Sequence, residues 1–302
     1  MVRRLLIVGC GDVARRMLPH LLGHYRVLAL VRDREQGAFW REQGARPVLA
    51  DLDRPHSLQR LAGLADLVVH LAPPPTHEGK CPAGDSRDRR TRSLLAALAR
   101  GRSLPQRIVY ISTTGVYGDC AGELVDETRP LRPATVRAGR RLDAERRLRL
   151  LGRRGVVVSI LRAPGIYAAD RLPIERLRRG SPALCDAEDV YTNHIHAEDL
   201  ALLACAALRY GRSNRTYNAS DDSRIKMGEY FDLVADHFEL PRVPRVSRRE
   251  AEELLSPLQL SFMSESRRLV NRRARQELRA RLRYPQVADG VAAAAKERKI
   301  RC

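Results

Sequence analysis

The chain has 302 residues, with 55 lysines and arginines against 36 acids and a formal charge of +19 at pH 7. That length holds one large domain or two smaller ones around a substantial core. No apolar run approaches the ~20 residues of a membrane span, and residues 5–8 are too few for the apolar core of a signal peptide, so the expectation is a cytoplasmic protein with no membrane partner.

Cys10, Cys81, Cys120, Cys185, Cys205 and Cys302 form no C-x-x-C pair and match no zinc-ligand spacing, which suits free thiols in a reducing cytosol. Arginine supplies 51 of the 55 basic residues. Ten arginines and two acids lie between Arg129 and Arg154, and eight arginines and one acid between Arg267 and Arg283. Such a charge suits anionic ligands and raises nucleic acid as a partner. Neither segment has aromatic interleaving, a helix-turn-helix or a zinc finger. Solvated basic faces are expected, and nucleic acid is not.

In chain order, residues 5–8 (LLIV) form a short apolar run of the kind found in parallel strands buried on both faces. The run ends in Gly9-x-Gly11-x-x-Ala14, and a helical pattern begins at once. In a dinucleotide-binding turn, Gly9 permits the tight turn, Gly11 lets the backbone approach a pyrophosphate, and Ala14 lets the helix lie close to the strand. The N–H groups of Asp12 and Val13 would hold the phosphates at the positive end of the helix. Cys10, inside this turn, reads as a buried thiol, with an oxidation switch as the alternative.

Residues 26–31 read as a second strand, and Arg32 follows 18 residues beyond Ala14. An acid here would bind the adenosine ribose, and a base would accept a 2′-phosphate. Arg32, with Arg34, therefore favours NADP(H) over NAD(H), while Asp33 competes as a ribose contact. Residues 34–44 read as a helix and 46–50 as a third strand ending in Asp51-Leu52, where the carboxylate either takes the adenine amino group or opens the next loop. A fourth strand at 67–71 runs into Ala72-Pro73-Pro74-Pro75, which takes the chain out of the sheet. His77, Glu78 and Cys81 follow as loop residues and match no common ligand set, so no metal is expected.

A helix over about 86–100 leads to a fifth strand at 107–111, followed by Ser112-Thr113-Thr114-Gly115-Val116-Tyr117-Gly118-Asp119. Hydroxyls at the carboxyl end of a central strand sit where open α/β sheets bind ligands. A helix over about 137–151 and a sixth strand at 156–161 complete an α/β pattern, a doubly wound parallel sheet. Beyond Arg162-Ala163-Pro164-Gly165 come a short helix at 172–179, a polar loop or short strand at 191–196, and a helix at 197–208. A last sheet strand at 215–219 and a helix at 227–238 follow, with an Ala-rich tail at 292–295. The expected division is residues 1–165 for cofactor binding and 166–302 for a smaller substrate-side region that returns 215–219 to the sheet.

With these pieces in order, the chain resembles the extended and atypical short-chain dehydrogenase/reductases, in particular the YeeZ-type group of NAD-dependent epimerase/dehydratase-like proteins. The resemblance covers nearly the whole chain. It rests on the glycine turn, Asp51-Leu52, His70-Leu71-Ala72-Pro73, Ser112 to Gly118, Arg162-Ala163-Pro164-Gly165 and the run from His194 to Leu200. It implies a Rossmann-type fold with a smaller C-terminal subdomain and an NAD(P) cofactor touched by Ser112, among others. It also implies Leu71, Ala72 and Pro73 beneath the nicotinamide ribose, Pro164 near the carboxamide, Thr113 at the catalytic Ser/Thr position, and His196 and Asp199 in a positioning loop. The family's catalytic pair is a Tyr followed four residues later by a Lys, on one helical face. Aligning helix 137–151 by Leu142 and Glu145 puts Arg137 at the Tyr position and Arg141 at the Lys position. Arg141 can still hold a ribose or phosphate, but a guanidinium does not exchange protons near neutrality.

Three functional readings stand. The first is an NADP-dependent oxidoreductase or nucleotide-sugar epimerase-like enzyme acting on a carbonyl/hydroxyl group of a small anionic substrate. In it Thr113 orients the substrate oxygen and Tyr117 is the nearest proton donor, with Tyr167 and His194 as alternatives. The second is a non-catalytic NADP(H)-binding sensor, and the third a nucleic-acid binder. A homodimer through helices 86–100 and 137–151 is the family's habit, opposed here by like-charge repulsion between arginine-rich helices.

Overall fold

The computed structural model describes residues 2–75 and 84–301, so His77, Glu78, Cys81 and Cys302 lie outside the described residues. Seven parallel strands make the central sheet: β1 (Arg4–Val8), β2 (Arg26–Val31), β3 (Arg46–Leu49), β4 (Leu67–His70), β5 (Arg107–Thr113), β6 (Val157–Ala163) and β7 (Arg215–Asn218). Their order is β7-β6-β5-β4-β1-β2-β3. Successive residues of a strand point to opposite faces. In β1, accordingly, Leu5 and Ile7 enter one core cluster and Leu6 and Val8 another. A sheet covered on both sides needs continuous apolar strands, which is why they are legible as runs.

One face is covered by α1 (Asp12–Leu22), α2 (Arg34–Glu42) and α5 (Ala197–Tyr210), through Met17, Leu21, Trp40, Leu200 and Ala204. The other is covered by α3 (Arg89–Leu98) and α4 (Val136–Gly152), through Leu94, Leu98, Ala144 and Leu148. Capping sets several of the helix starts. Asp33 accepts the Gln36 N–H at 2.8 Å to open α2, Asp88 accepts Thr91 N–H at 3.0 Å to open α3, and Thr135 accepts Ala138 N–H at 3.2 Å to open α4. α3 thus begins at Arg89 rather than near 86 because its cap is Asp88.

From β1 the chain steps outward through β2 and β3, then returns beside β1 as β4 and steps the other way through β5, β6 and β7. That reversal opens a crevice at the carboxyl ends of β1 and β4, where open α/β sheets bind ligands. β5 runs on to Thr113 because Ser112 and Thr113 stay in register with Arg162 and Ala163 of β6.

Residues from Tyr167 onward also build a third core cluster. It includes Leu177, Leu184, Phe231 and Val234 of α6 (Met227–His237), Met263, and Val287 and Val291 of α7 (Val287–Arg301). The Ala-rich tail is part of α7, where Val287, Val291, Ala294 and Ala295 recur at helical spacing and are buried. Helices Arg248–Leu254, Pro257–Phe262 and Arg272–Glu277 were not expected, since they are short and carry weak apolar patterns.

The arginine-rich helix corrects one expectation. It is not simply a solvated basic face: Arg140 is 2 % exposed and donates to the carbonyls of Pro75 and Asp85. Arg147 pairs with Asp143, and Arg149 reaches the Asn214 carbonyl and the Thr216 hydroxyl. Among the described residues no helix is long and apolar enough to cross a membrane.

Candidate functional site

The crevice widens into a cleft of about 1040 Å³. The turn between β1 and α1 forms its floor. Gly9 sits at φ +99°, and a Cβ there would lie 2.3 Å from the Ala72 nitrogen, against the strand-end segment whose Leu71 and Ala72 N–H groups both donate to the Val8 carbonyl. Gly11 has an ordinary φ of −91°, and a Cβ there would meet nothing within 4 Å. One glycine is required by the protein's own packing, whereas the other leaves open space over the cleft. Lacking a side chain, Gly11 also leaves the first N–H groups of α1 uncapped, at the positive end of the helix. The Asp12 carboxylate in that turn is held by Arg16 at 3.0 Å and Arg171 at 3.4 Å. Cys10 donates to the Leu30 carbonyl at 3.2 Å, and burial pushes its thiol up to about 12. It is a thiol rather than a thiolate at neutral pH, which disfavours the oxidation switch.

All but one of the residues from which cofactor contact was expected line this cleft, from Gly9 to Ala14 through Arg32, Asp51, Leu52, Leu71 to Pro73, Ser112, Arg141 and Pro164. Asp33 also lines it, but its carboxylate caps α2. Arg32 is exposed and has no hydrogen bond or ion pair among the described residues. Arg34 is not on the cleft wall; Arg15 is, with its guanidinium 4.5 Å from the Phe39 ring centroid. Arg90, also on the wall, is committed to a two-pronged contact with Asp53 at 2.9 and 2.6 Å. A dinucleotide fits this floor: open space above Gly11, uncapped helix amides and an unpaired arginine are what a pyrophosphate and a further anionic group require.

A second cleft of about 570 Å³ adjoins the first and shares Pro73, Thr113, Arg141 and Pro164 with it. Thr113 therefore stands at the junction, its Oγ1 accepting the Gly115 N–H at 3.2 Å. Arg141 crosses the same boundary, donating to the Ile111 carbonyl at 2.8 Å and the Tyr110 hydroxyl at 3.1 Å. Arg137, one turn earlier on α4, is exposed on the second cleft.

Tyr117 corrects the sequence reading. The turn Thr114–Tyr117 rotates it away from both clefts, and it is 1 % exposed. Its hydroxyl donates to Asn218 Oδ1 at 2.7 Å, and burial pushes the phenol up to about 12. It packs under the Arg162 guanidinium, 4.8 Å from its ring centroid. It is a framework residue and has no route to a ligand's oxygen. Ser112, though on the cleft wall, donates to Glu145 Oε1 at 2.6 Å, and Glu145 is gripped by Arg162 at 3.1 and 2.7 Å in a pair that is almost wholly buried.

The two alternatives, Tyr167 and His194, are also buried, at 3 % and 4 % exposure, and line neither cleft. They belong to an internal polar group with Asp221 and Tyr230, in which His194 stacks 4.2 Å from the Tyr230 ring centroid. Burial holds His194 down to about 3 and pushes Asp221 from its ordinary 3.8 up to about 8, with Asp222 and Asp199 adding to the latter. Asp199 is wholly buried and accepts the N–H groups of Arg283 and Tyr284 at 2.6 and 2.9 Å, a positioning contact. A stability effect follows for Asp221. Because its folded value lies above its unfolded one, its contribution is complete below pH 4 and is lost as pH rises toward 8. Denaturant titrations across that window should show Asp221→Asn gaining on the wild type by up to about 1.4 kcal/mol per pH unit. Parallel curves for the two proteins would remove the effect.

The wall residues that sequence reasoning missed include Arg15, Arg90 and Arg171 in the first cleft and Tyr191, Phe262 and Arg267 in the second. None carries a local motif. Each arrives by packing, although the phenol of Tyr191 is the kind of group that Tyr117 was expected to provide.

Comparison with known proteins places this geometry. The 4-hydroxy-2-methyl-3-oxo-4-farnesyl-3,4-dihydroquinoline-1-oxide ketoreductase of Stigmatella aurantiaca is 25% identical over 284 residues, 88% of this chain and 83% of that protein. A conserved protein of unknown function from Silicibacter pomeroyi superimposes with a TM-score of 0.77 at 27% identity, covering 98% of this chain and 99% of that one. A dTDP-glucose 4,6-dehydratase from Streptomyces venezuelae, solved with NAD bound, shares the fold at a TM-score of 0.77 and 22% identity, over 98% of this chain and 97% of that one. The model of the NAD dependent epimerase/dehydratase family matches residues 5–220, from β1 to just past β7. With the whole sheet and its glycine turn inside that match, the chain belongs to the NAD dependent epimerase/dehydratase family.

Proposed function

We propose that the protein is an NADP-dependent oxidoreductase of this family, interconverting a carbonyl and a hydroxyl on a small anionic substrate in the manner of a ketoreductase. The observation that carries the cofactor choice is Arg32: it lines the first cleft with no partner among the described residues, while the acid beside it, Asp33, is committed to capping α2. Arg32, with Arg15 on the same wall, would take a 2′-phosphate. The turn from Gly9 to Ala14 would take the pyrophosphate, and Asp51 the adenine. The nicotinamide, when bound, supplies or accepts the hydride. Thr113 has its oxygen engaged by the Gly115 N–H and its hydroxyl proton available, so it orients a substrate oxygen at the junction of the clefts. Arg141 supports that junction by fixing the ends of the flanking segments. Tyr191 is the phenol on the substrate wall and takes the proton-donor place first given to Tyr117.

The test is a fluorescence titration with NADPH and NADH. The wild type should bind NADPH more tightly, and Arg32→Ala should weaken NADPH about tenfold or more while leaving NADH unchanged, as loss of a charge-assisted contact requires. Equal affinities in the wild type would refute the NADP assignment.

A second reading, a non-catalytic NADP(H) sensor, is favoured by the alignment of α4 on Leu142 and Glu145, which puts Arg137 where the resemblance expects the reactive phenol. NADPH that binds tightly but is never oxidised across a broad panel of aldehydes, ketones and nucleotide sugars would select it.

A further inference from the structure

The second cleft has a composition that its neighbour lacks. Its apolar wall runs from Pro73 to Pro75 and across to Met227 and Phe262. Four arginines, Arg137, Arg140, Arg141 and Arg267, face a single acid on the lining, Glu265. Two of the four already hold protein partners, with only the Nε of Arg267 left unpaired among the described residues. Arg141 is fixed to the Ile111 carbonyl and the Tyr110 hydroxyl, and Arg267 is paired with Glu265 at 2.8 Å and with the Gly118 carbonyl at 2.6 Å.

The other two have capacity to spare. Arg140 is 2 % exposed, yet its Nη2 has no hydrogen-bond partner among the described residues. A buried charged donor without an acceptor is costly, and an oxyanion removes that cost. Arg137 has no hydrogen bond or ion pair among the described residues and lies with its guanidinium 5.2 Å from the Phe262 ring centroid. The ring flanks the guanidinium and leaves its N–H donors open to an anion beside an apolar surface.

The carboxylate and the side-chain amide on the lining are both engaged by the protein. Glu265 is held by Arg267, and Asn193 spends its amide on the Arg267 carbonyl and its oxygen on the Leu269 N–H. At the rim, helix Pro257–Phe262 buries none of its residues; Leu258 and Phe262, four apart on one face, are 61 % and 48 % exposed. A hydrocarbon leaving the cleft on this side would cover them.

We propose that the second cleft takes an organic oxyanion, a carboxylate or phosphate carried on an apolar body, with Arg137 and Arg140 receiving the charge. The inference rests on reading the first cleft as the cofactor site and the second as the substrate site.

Displacement of 8-anilinonaphthalene-1-sulfonate, itself an oxyanion on an aromatic body, tests it in NADPH-saturated protein. Decanoate or decyl phosphate should displace the dye at least tenfold more effectively than decanol or inorganic phosphate, and the better of the two identifies the headgroup. Arg137→Gln, an exposed site, should erase that advantage without altering the melting temperature or the NADPH titration. The proposal is overturned if the dye does not bind, if decanol competes as well as decanoate, if UDP-glucose competes better than either anion, or if Arg137→Gln changes nothing. Failure of the cofactor reading shows separately, as absent NADPH binding in the wild type.

Discussion

Gly9→Ala is expected to destabilise the protein by about 3 kcal/mol and to abolish dinucleotide binding, whereas Gly11→Ala should melt like the wild type and lose only the binding. The two glycines differ in what they face. A methyl on Gly9 would stand 2.3 Å from the Ala72 nitrogen at φ +99°. The strand-end segment must then shift, and an L-residue pays for the left-handed conformation as well. That segment is tied to β1 by hydrogen bonds from Leu71 and Ala72 to the Val8 carbonyl at 2.7 and 3.0 Å, so it has little freedom to give way. A methyl on Gly11 meets no protein atom within 4 Å and sits on unstrained backbone. It occupies only the space a pyrophosphate needs. Thermal melts paired with NADPH fluorescence separate the effects. A Gly11→Ala protein that binds NADPH normally would show that the turn is not the phosphate cradle, and a stable Gly9→Ala protein would show that the strand end yields.

The second large effect is expected at Glu145. Its carboxylate, 1 % exposed at the side chain, receives Arg162 through two contacts and the Ser112 hydroxyl through a third. Glu145→Ala leaves the buried Arg162 guanidinium without its counter-charge, and a loss of about 3–5 kcal/mol in denaturant titrations should follow. Arg162 already has one nitrogen, Nη1, without a partner among the described residues, so none of these offers a spare acceptor to compensate. The double variant Glu145→Leu with Arg162→Met should recover most of that stability, because removing both charges removes the desolvation cost. It should still impair ligand binding. The network reaches the first cleft through Ser112, and the Arg162 guanidinium also covers the Tyr117 ring, whose hydroxyl ties β5's end to Asn218 on β7. Recovery of stability without recovery of ligand affinity would assign the pair to shaping the strand ends. Full recovery of both would reduce it to a packing feature.

The strands, the glycine turn and most helix starts were legible because their causes are local. A strand buried on both faces has to be apolar at consecutive positions, as β1, β2 and β4 are. A turn that brings the backbone within 2.3 Å of a would-be Cβ has to be glycine, whereas the capping role of Asp33, read as a ribose contact, came from the structure. From such signals the alternation of strand and helix, the crevice at the end of β1 and the cleft residues around it could be read directly.

The chemistry of the substrate side could not. Tyr117 looked available because it follows the hydroxyl-bearing end of β5, but the short helical turn Thr114–Tyr117 carries it beneath Arg162, a residue of another strand. Arg15 rather than Arg34 joins Arg32 on the cleft wall because α1 and α2 present different faces to it. Arg140 shares a wall with Phe262 and Arg267, from which more than a hundred residues separate it. Steric and hydrogen-bond constraints between neighbours in the chain are written in consecutive residues, so the sequence by itself determined the sheet, its order of elements and the dinucleotide turn. Which side chains share a cavity, and which arginines are left with charge to spend, depends on how distant elements pack, and only the tertiary structure decided that.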